Sequence, residues 1–152
     1  MKQLLLILFL FPCLVFAQNW DYDLSRGKRL YDGKNYKDAL PYFQSAAKLG
    51  SGEAMSILGF MYYNGQGVTK NKQIALNMYT KSAESGYAEG QYNLGYYYYT
   101  ERLFSKAFFW YEKAADNGSA LACMAMAKTN SEGIKKDLPK ALTYMIKAAE
   151  CG

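Results

Sequence analysis

Apolar residues along this chain recur at spacings of three and four rather than two, in blocks that stop at glycine. In KAFFWYEKAADNG, which begins at Lys106, the residues Ala107, Trp110, Tyr111, Ala114 and Ala115 share one helical face. Glu112, Lys113 and Asp116 fall mainly on the other side. The same block returns as ALPYFQSAAKLG from Ala39, ALNMYTKSAESG from Ala75 and ALTYMIKAAECG from Ala141. The closing glycines Gly50, Gly86, Gly118 and Gly152 stand 36, 32 and 34 residues apart, and an alanine precedes each by 11 positions. A second apolar element comes before the later blocks: AMSILGFMYYNGQGV from Ala54, GQYNLGYYYYTERLF from Gly90 and ACMAMAKTNSEGI from Ala122. The pattern predicts helix pairs at 21–32 and 35–49, 52–64 and 72–85, 88–100 and 103–117, and 120–131 and 138–151. Each pair ends at a glycine that accepts left-handed backbone without steric penalty.

Gly59 or Gly95 in the first helix and the alanine pair in the second permit close helix approach, and a bulky aromatic from the partner fills the space beside them. One such hairpin cannot bury its aromatic face alone, so successive hairpins must stack. The expected fold is all-α, a right-handed α/α superhelical solenoid of about four helix-turn-helix repeats, 21–50, 51–86, 87–118 and 119–152.

Ahead of the repeats, MKQLLLILFLFPCLVFA carries one charge, Lys2, then a continuous apolar run to Phe16, with Val15 and Ala17 at the minus-three and minus-one cleavage positions. Residues 1–17 read as a secretory signal peptide and 18–152 as a single repeat domain, so the expected location is periplasmic or extracellular. The run falls short of the roughly 20 residues that cross a bilayer. Removing Lys2 leaves 17 basic against 13 acidic residues, a mild balance that is no nucleic-acid footprint. Lys81, Lys113 and Lys147 recur at one position of the second helix and read as a solvated convex face. With no histidine, His-based triads and His-ligated zinc are excluded, and no metal or other cofactor is expected. Cys123 and Cys151 lie at meeting ends of the last hairpin; a bridge between them stays open beside buried thiols and intermolecular pairing.

The units resemble the Sel-one-like repeat, a relative of the tetratricopeptide repeat. The second matches at Ala54, Leu58, Gly59, Tyr62, Gly65, Gly67, Val68, Ala75, Tyr79, Ala83 and Gly86. The third keeps Leu94, Gly95, Tyr98, Ala107, Trp110, Tyr111 and Gly118 but replaces the glycine loop with TERLFS, and the fourth has Met126 and Ala127 for the Leu-Gly pair. Gly27, Tyr36, Ala39, Phe43 and Ala46 make the first unit look more like a tetratricopeptide repeat proper. The resemblance covers residues 24–152 and implies a scaffold that binds proteins or peptides, carries no catalytic motif, and in secreted bacterial members works in the periplasm or at the surface.

In such solenoids the first helices line a concave groove. That places Lys28 and Tyr31, then Ser56, Phe60 and Tyr63, then Tyr92, Tyr96 and Tyr99, then Met124, Lys128 and Ser131 on it. The expected partner-binding residues are therefore Tyr31, Phe60, Tyr63, Tyr92, Tyr96, Tyr99 and Lys128, an aromatic wall suited to a protein or peptide, with packing between units as the competing role. Two other readings stay open: a structural oligomer stacking through the last repeat, which ends without a polar cap, and a cell-wall hydrolase built on Glu53 and Glu89.

Overall fold

Residues 20–131 are described by the computed structural model, and every regular element among them is an α-helix. They are α1 (20–32), α2 (Tyr36–Lys48), α3 (Gly52–Asn64), α4 (Lys72–Glu84), α5 (Ala88–Thr100), α6 (Phe104–Asp116) and α7 (Ala120–Ser131). The predicted boundaries agree to within one residue for these seven. The helix expected at 138–151, the signal segment, Cys151 and the end of the last repeat lie outside the described residues.

Each second helix stops by the same device. The N–H of Gly118 bonds the Ala115 carbonyl at 3.1 Å and that of Ser119 bonds Ala114 at 2.9 Å, and Gly50 and Gly86 close α2 and α4 in the same way. These three glycines have φ of 96°, 85° and 86° in chain order. At the starts of α3, α4 and α7, Ser51, Asn71 and Ser119 accept a side-chain hydrogen bond from the backbone N–H three residues on, at 3.2, 3.0 and 3.2 Å. The turns after α1 and α5 use Lys34 (φ 61°) and Arg102 (φ 59°) where glycine would be unstrained. Gly33 is thus one residue too early: Lys34 and Asn35 make the closing bonds to Tyr31 and Leu30 at 2.9 Å each.

Within a hairpin the two helices meet ring on glycine. A Cβ added at Gly27 would stand 2.9 Å from Phe43 Cε1, at Gly59 2.6 Å from Tyr79 Cδ1, and at Gly95 2.6 Å from Tyr111 Cδ1. The buried core runs on from each hairpin into the next. One buried cluster joins Leu24 of α1 and Ala39, Phe43 and Ala46 of α2 to Ala54, Leu58 and Met61 of α3. A second joins Ala75, Tyr79 and Ala83 of α4 to Leu94 and Tyr97 of α5. The third joins Ala107, Tyr111, Ala114 and Ala115 of α6 to Ala122, Cys123 and Met126 of α7. Each second helix is therefore completed by the first helix of the next unit, which makes the architecture an all-α repeat solenoid.

Polar groups reinforce the seams. Gln91, buried in α5, donates to the Ala83 carbonyl at 3.2 Å and accepts from Asn117 at 2.8 Å. Asn93 donates to Ser56 at 2.9 Å. Lys28–Glu53 and Lys72–Glu101, each 2.6 Å, tie successive units across exposed surface, where an ion pair contributes little.

Gly95→Ala should destabilise the protein by about 1–2 kcal/mol, because overpacking against the Tyr111 ring outweighs the gain in helix propensity. Arg102→Gly should instead stabilise it by up to about 1 kcal/mol, by relieving a left-handed side-chain residue. Urea denaturation checks both signs.

Burial holds the phenols of Tyr79 and Tyr111 well above their ordinary value of 10.0, since the interior disfavours a phenolate. Their contribution is complete below pH about 10, the unfolded value, and is lost as pH rises toward the raised folded values, by about 1.4 kcal/mol per pH unit per phenol. Urea midpoints measured upward from about pH 9 should therefore fall above about pH 10. They should fall less steeply in the Tyr79→Phe, Tyr111→Phe double variant.

Candidate functional site

The first helices of successive units share one face, and α5 lies in the middle of its described part. On one side of α5, Tyr92, Tyr96 and Tyr99 line a hollow of about 300 Å³ with Tyr111 from α6 and Leu121, Met124, Ala125 and Lys128 from α7. Tyr92 and Tyr96, one turn apart, are stacked at 6.5 Å between centroids with 27° between planes. Tyr92 also rests on Tyr111 at 5.7 Å, which anchors the stack to the ring that fills the glycine notch. Burial first, and then the neighbouring Tyr96, raises the pKa of Tyr92, so the phenol stays neutral and able to donate. Tyr99 packs edge-on against Phe104 at 5.6 Å. The outer lining is open to solvent: Tyr96 is 47% exposed, Leu121 50% and Met124 52%.

On the other side of α5, Tyr31, Ser56, Ile57, Phe60, Glu89 and Asn93 line a smaller hollow of about 220 Å³. Its chemistry is mixed. The Tyr31 hydroxyl donates to Gln66 Oε1 at 2.7 Å, and burial raises the pKa of this phenol. Glu89 accepts from the Tyr87 hydroxyl at 3.1 Å.

Of the residues singled out in the sequence, Tyr92, Tyr96, Tyr99 and Lys128 come together in the first hollow and Tyr31 and Phe60 in the second. Tyr63 lines neither of these hollows. Its ring packs edge-on against Tyr97 of the next unit at 6.2 Å, under Lys70 at 5.8 Å, so it belongs to a seam between units. Lys28 is held by Glu53, which keeps its ammonium pKa above the usual value. Cys123 is buried in α7, and the bridge to Cys151 lies outside the described residues. The lining residues Tyr111 and Leu121 were not expected. Leu121 shares a helical stripe with Met124 and Lys128, a signal present in the sequence but masked by the neighbouring Ala122. Among the described residues no helix is long and apolar enough to cross a membrane.

Comparison with known proteins places this geometry among repeat proteins. The Sel1 repeat family model matches residues 22–51, 52–87, 88–119 and 120–152. The putative sel1-like repeat-containing protein L21 of Acanthamoeba polyphaga mimivirus is 39% identical over 72 residues, 47% of this chain and 14% of the relative. The Sel1-repeat-containing protein YjcO of Escherichia coli K12 is 36% identical over 77 residues, 50% of this chain and 34% of the relative. The chain thus spans no more than about a third of these two relatives. Among solved structures, a Sel1 repeat protein from Oxalobacter formigenes superposes with a TM-score of 0.75 at 35% identity, covering 86% of this chain and 54% of that one. The protein c5321, a protective antigen present in uropathogenic Escherichia coli strains with an SLR fold, gives 0.77 at 26% identity, covering 88% and 31%.

Proposed function

The chain belongs to the Sel1 repeat family, and from that premise we propose that it is an exported scaffold of the cell envelope whose first-helix face binds an extended segment of a partner protein. Proteins of this family generally mediate protein–protein interaction and are typically non-enzymatic. The observation that carries the reading is the hollow between α5 and α7, where the half-exposed Leu121 and Met124 flank a Tyr92–Tyr96 stack that Tyr111 already holds in place and whose outer ring, Tyr96, is itself half-exposed.

Tyrosine offers a large contact area with little rotamer entropy to lose, and its hydroxyl keeps a hydrogen bond for the incoming chain. The stack is anchored before any partner arrives, so binding does not have to order it. The smaller hollow on the other side of α5 extends the surface with Phe60, Asn93 and Glu89. Glu53 pairs with Lys28 and Glu89 accepts from Tyr87, roles that account for both carboxylates without catalysis. Export rests on residues 1–17, and the secreted form is expected to begin at Gln18.

Affinity capture from envelope fractions, with crosslinking and mass spectrometry, tests the surface. Tyr96→Ser with Met124→Ser removes exposed side chains only, so the helical circular dichroism should stand while partner capture falls by at least about tenfold. Undiminished capture by the double variant refutes the surface. Intact mass of the exported protein reads the cleavage site.

A further inference from the structure

The side formed by the second helices carries a different hollow, of about 300 Å³, between α2 and α4 and floored by α3. Its walls are apolar: Met55, Leu58 and Tyr62 from α3 and Met78 from α4, with Ile74, 37% exposed, beside them. Lys48 at the end of α2 and Lys81 in α4 line it as well. Both are exposed, and neither is in an ion pair among the described residues.

The next junction, between α4 and α6, shows the same positions used for packing. Trp110 stands where Met78 does and packs into the core there. Lys106 replaces Ile74 and lays its ammonium 5.4 Å over the Tyr98 ring. Gln91 replaces Met55 and spends its amide on the seam. Glu84 replaces Lys48, so the two like charges become a mixed pair with Lys113, which itself sits 4.7 Å over Phe109 and 5.1 Å over Trp110. At that junction Trp110 packs where Met78 stands in the other, and the two charged positions carry opposite signs. The other leaves an apolar hollow open and sets two cations on it, an arrangement that favours an anion.

We propose that the hollow between α2 and α4 binds a medium-chain alkyl carboxylate, its tail against Met55, Leu58, Tyr62 and Met78 and its carboxylate between Lys48 and Lys81. The volume sits at the small end of ligand sites, with room for one flexible chain and none for a helix. Two methionines give walls that adapt to a chain with many rotamers. Apart from the Gln44 amide and the Tyr62 phenol the apolar walls offer no side-chain hydrogen bond, so they favour a chain with no polar groups along its length. An alkyl chain has none to satisfy.

The test is a titration of the chain, labelled with carbon-13 at its methionine methyls, with sodium decanoate. The Met55 and Met78 methyl signals should shift and saturate together while Met124, in the hollow beside α7, stays in place. Met78→Trp, the residue that the next unit carries at this position, should abolish the shift at Met55 with circular dichroism unchanged. Lys48→Gln with Lys81→Gln changes exposed side chains only and should weaken decanoate by about tenfold. Decan-1-ol, with the tail and no charge, should bind the unaltered protein as weakly as decanoate binds that variant. No saturable shift at Met55 and Met78, a shift confined to Met124, or full affinity in the double lysine variant would each overturn the proposal. So would an acidic peptide that shifts these methyls where decanoate does not.

Discussion

One contact sets the geometry of the solenoid: an aromatic ring from the second helix of a hairpin lying where a glycine of the first helix leaves no Cβ. Phe43 on Gly27, Tyr79 on Gly59 and Tyr111 on Gly95 repeat it in three units. A glycine inside a helix costs about 1 kcal/mol. Burying the ring against the bare backbone returns about 1.5–3 kcal/mol, so the exchange favours the folded hairpin. The alanines one turn to either side of the ring, Ala75 and Ala83 or Ala107 and Ala115, share its stripe and add a small-residue surface that lets neighbouring helices approach closely. A surface of that kind buries well against another helix, which is why the core of the protein runs on from one unit to the next.

The helices were legible from the sequence because their signals are local. A period of three and four sets each face, and a glycine at positive φ follows α2, α3, α4 and α6, so the boundaries of the seven described helices agree to within one residue. The placement of individual tyrosines was less legible. Tyr63 and Tyr99 occupy the same position in successive first helices, yet Tyr63 packs on Tyr97 of the following unit while Tyr99 lines an open hollow. Periodicity says which way a side chain leaves its helix. It does not say what the next unit puts opposite, and that depends on how one hairpin is rotated on another.

The turns show the same division between local and non-local causes. In the first turn the left-handed residue is Lys34 rather than the adjacent Gly33, because the closing hydrogen bonds from residues 34 and 35 fix the position and the side chain there must follow. Arg102 follows the same rule in the third unit. Exposed ion pairs between units, Lys28 with Glu53 and Lys72 with Glu101, are likewise set by register rather than setting it, since their modest energies cannot outweigh a misplaced seam.

In an array of this kind, the positions that repeat are those the seams require, and they carry little information about what the protein meets. Information about ligands and partners lies in the differences between copies. Leu58 and Leu94, Gly59 and Gly95, and Tyr79 and Tyr111 are interchangeable and buried. Met78 and Trp110, Ile74 and Lys106, and Lys48 and Glu84 are not interchangeable, and these are the positions where one junction closes and another stays open. On the opposite face, the stacked tyrosines of α5 give the third unit an aromatic surface that the second, with Ser56 and Phe60 at the corresponding places, has only in part. The ring-on-glycine contact fixes the helices firmly enough for both faces to vary without disturbing the fold. The capacity to bind is thus a consequence of how little of each helix the seam requires.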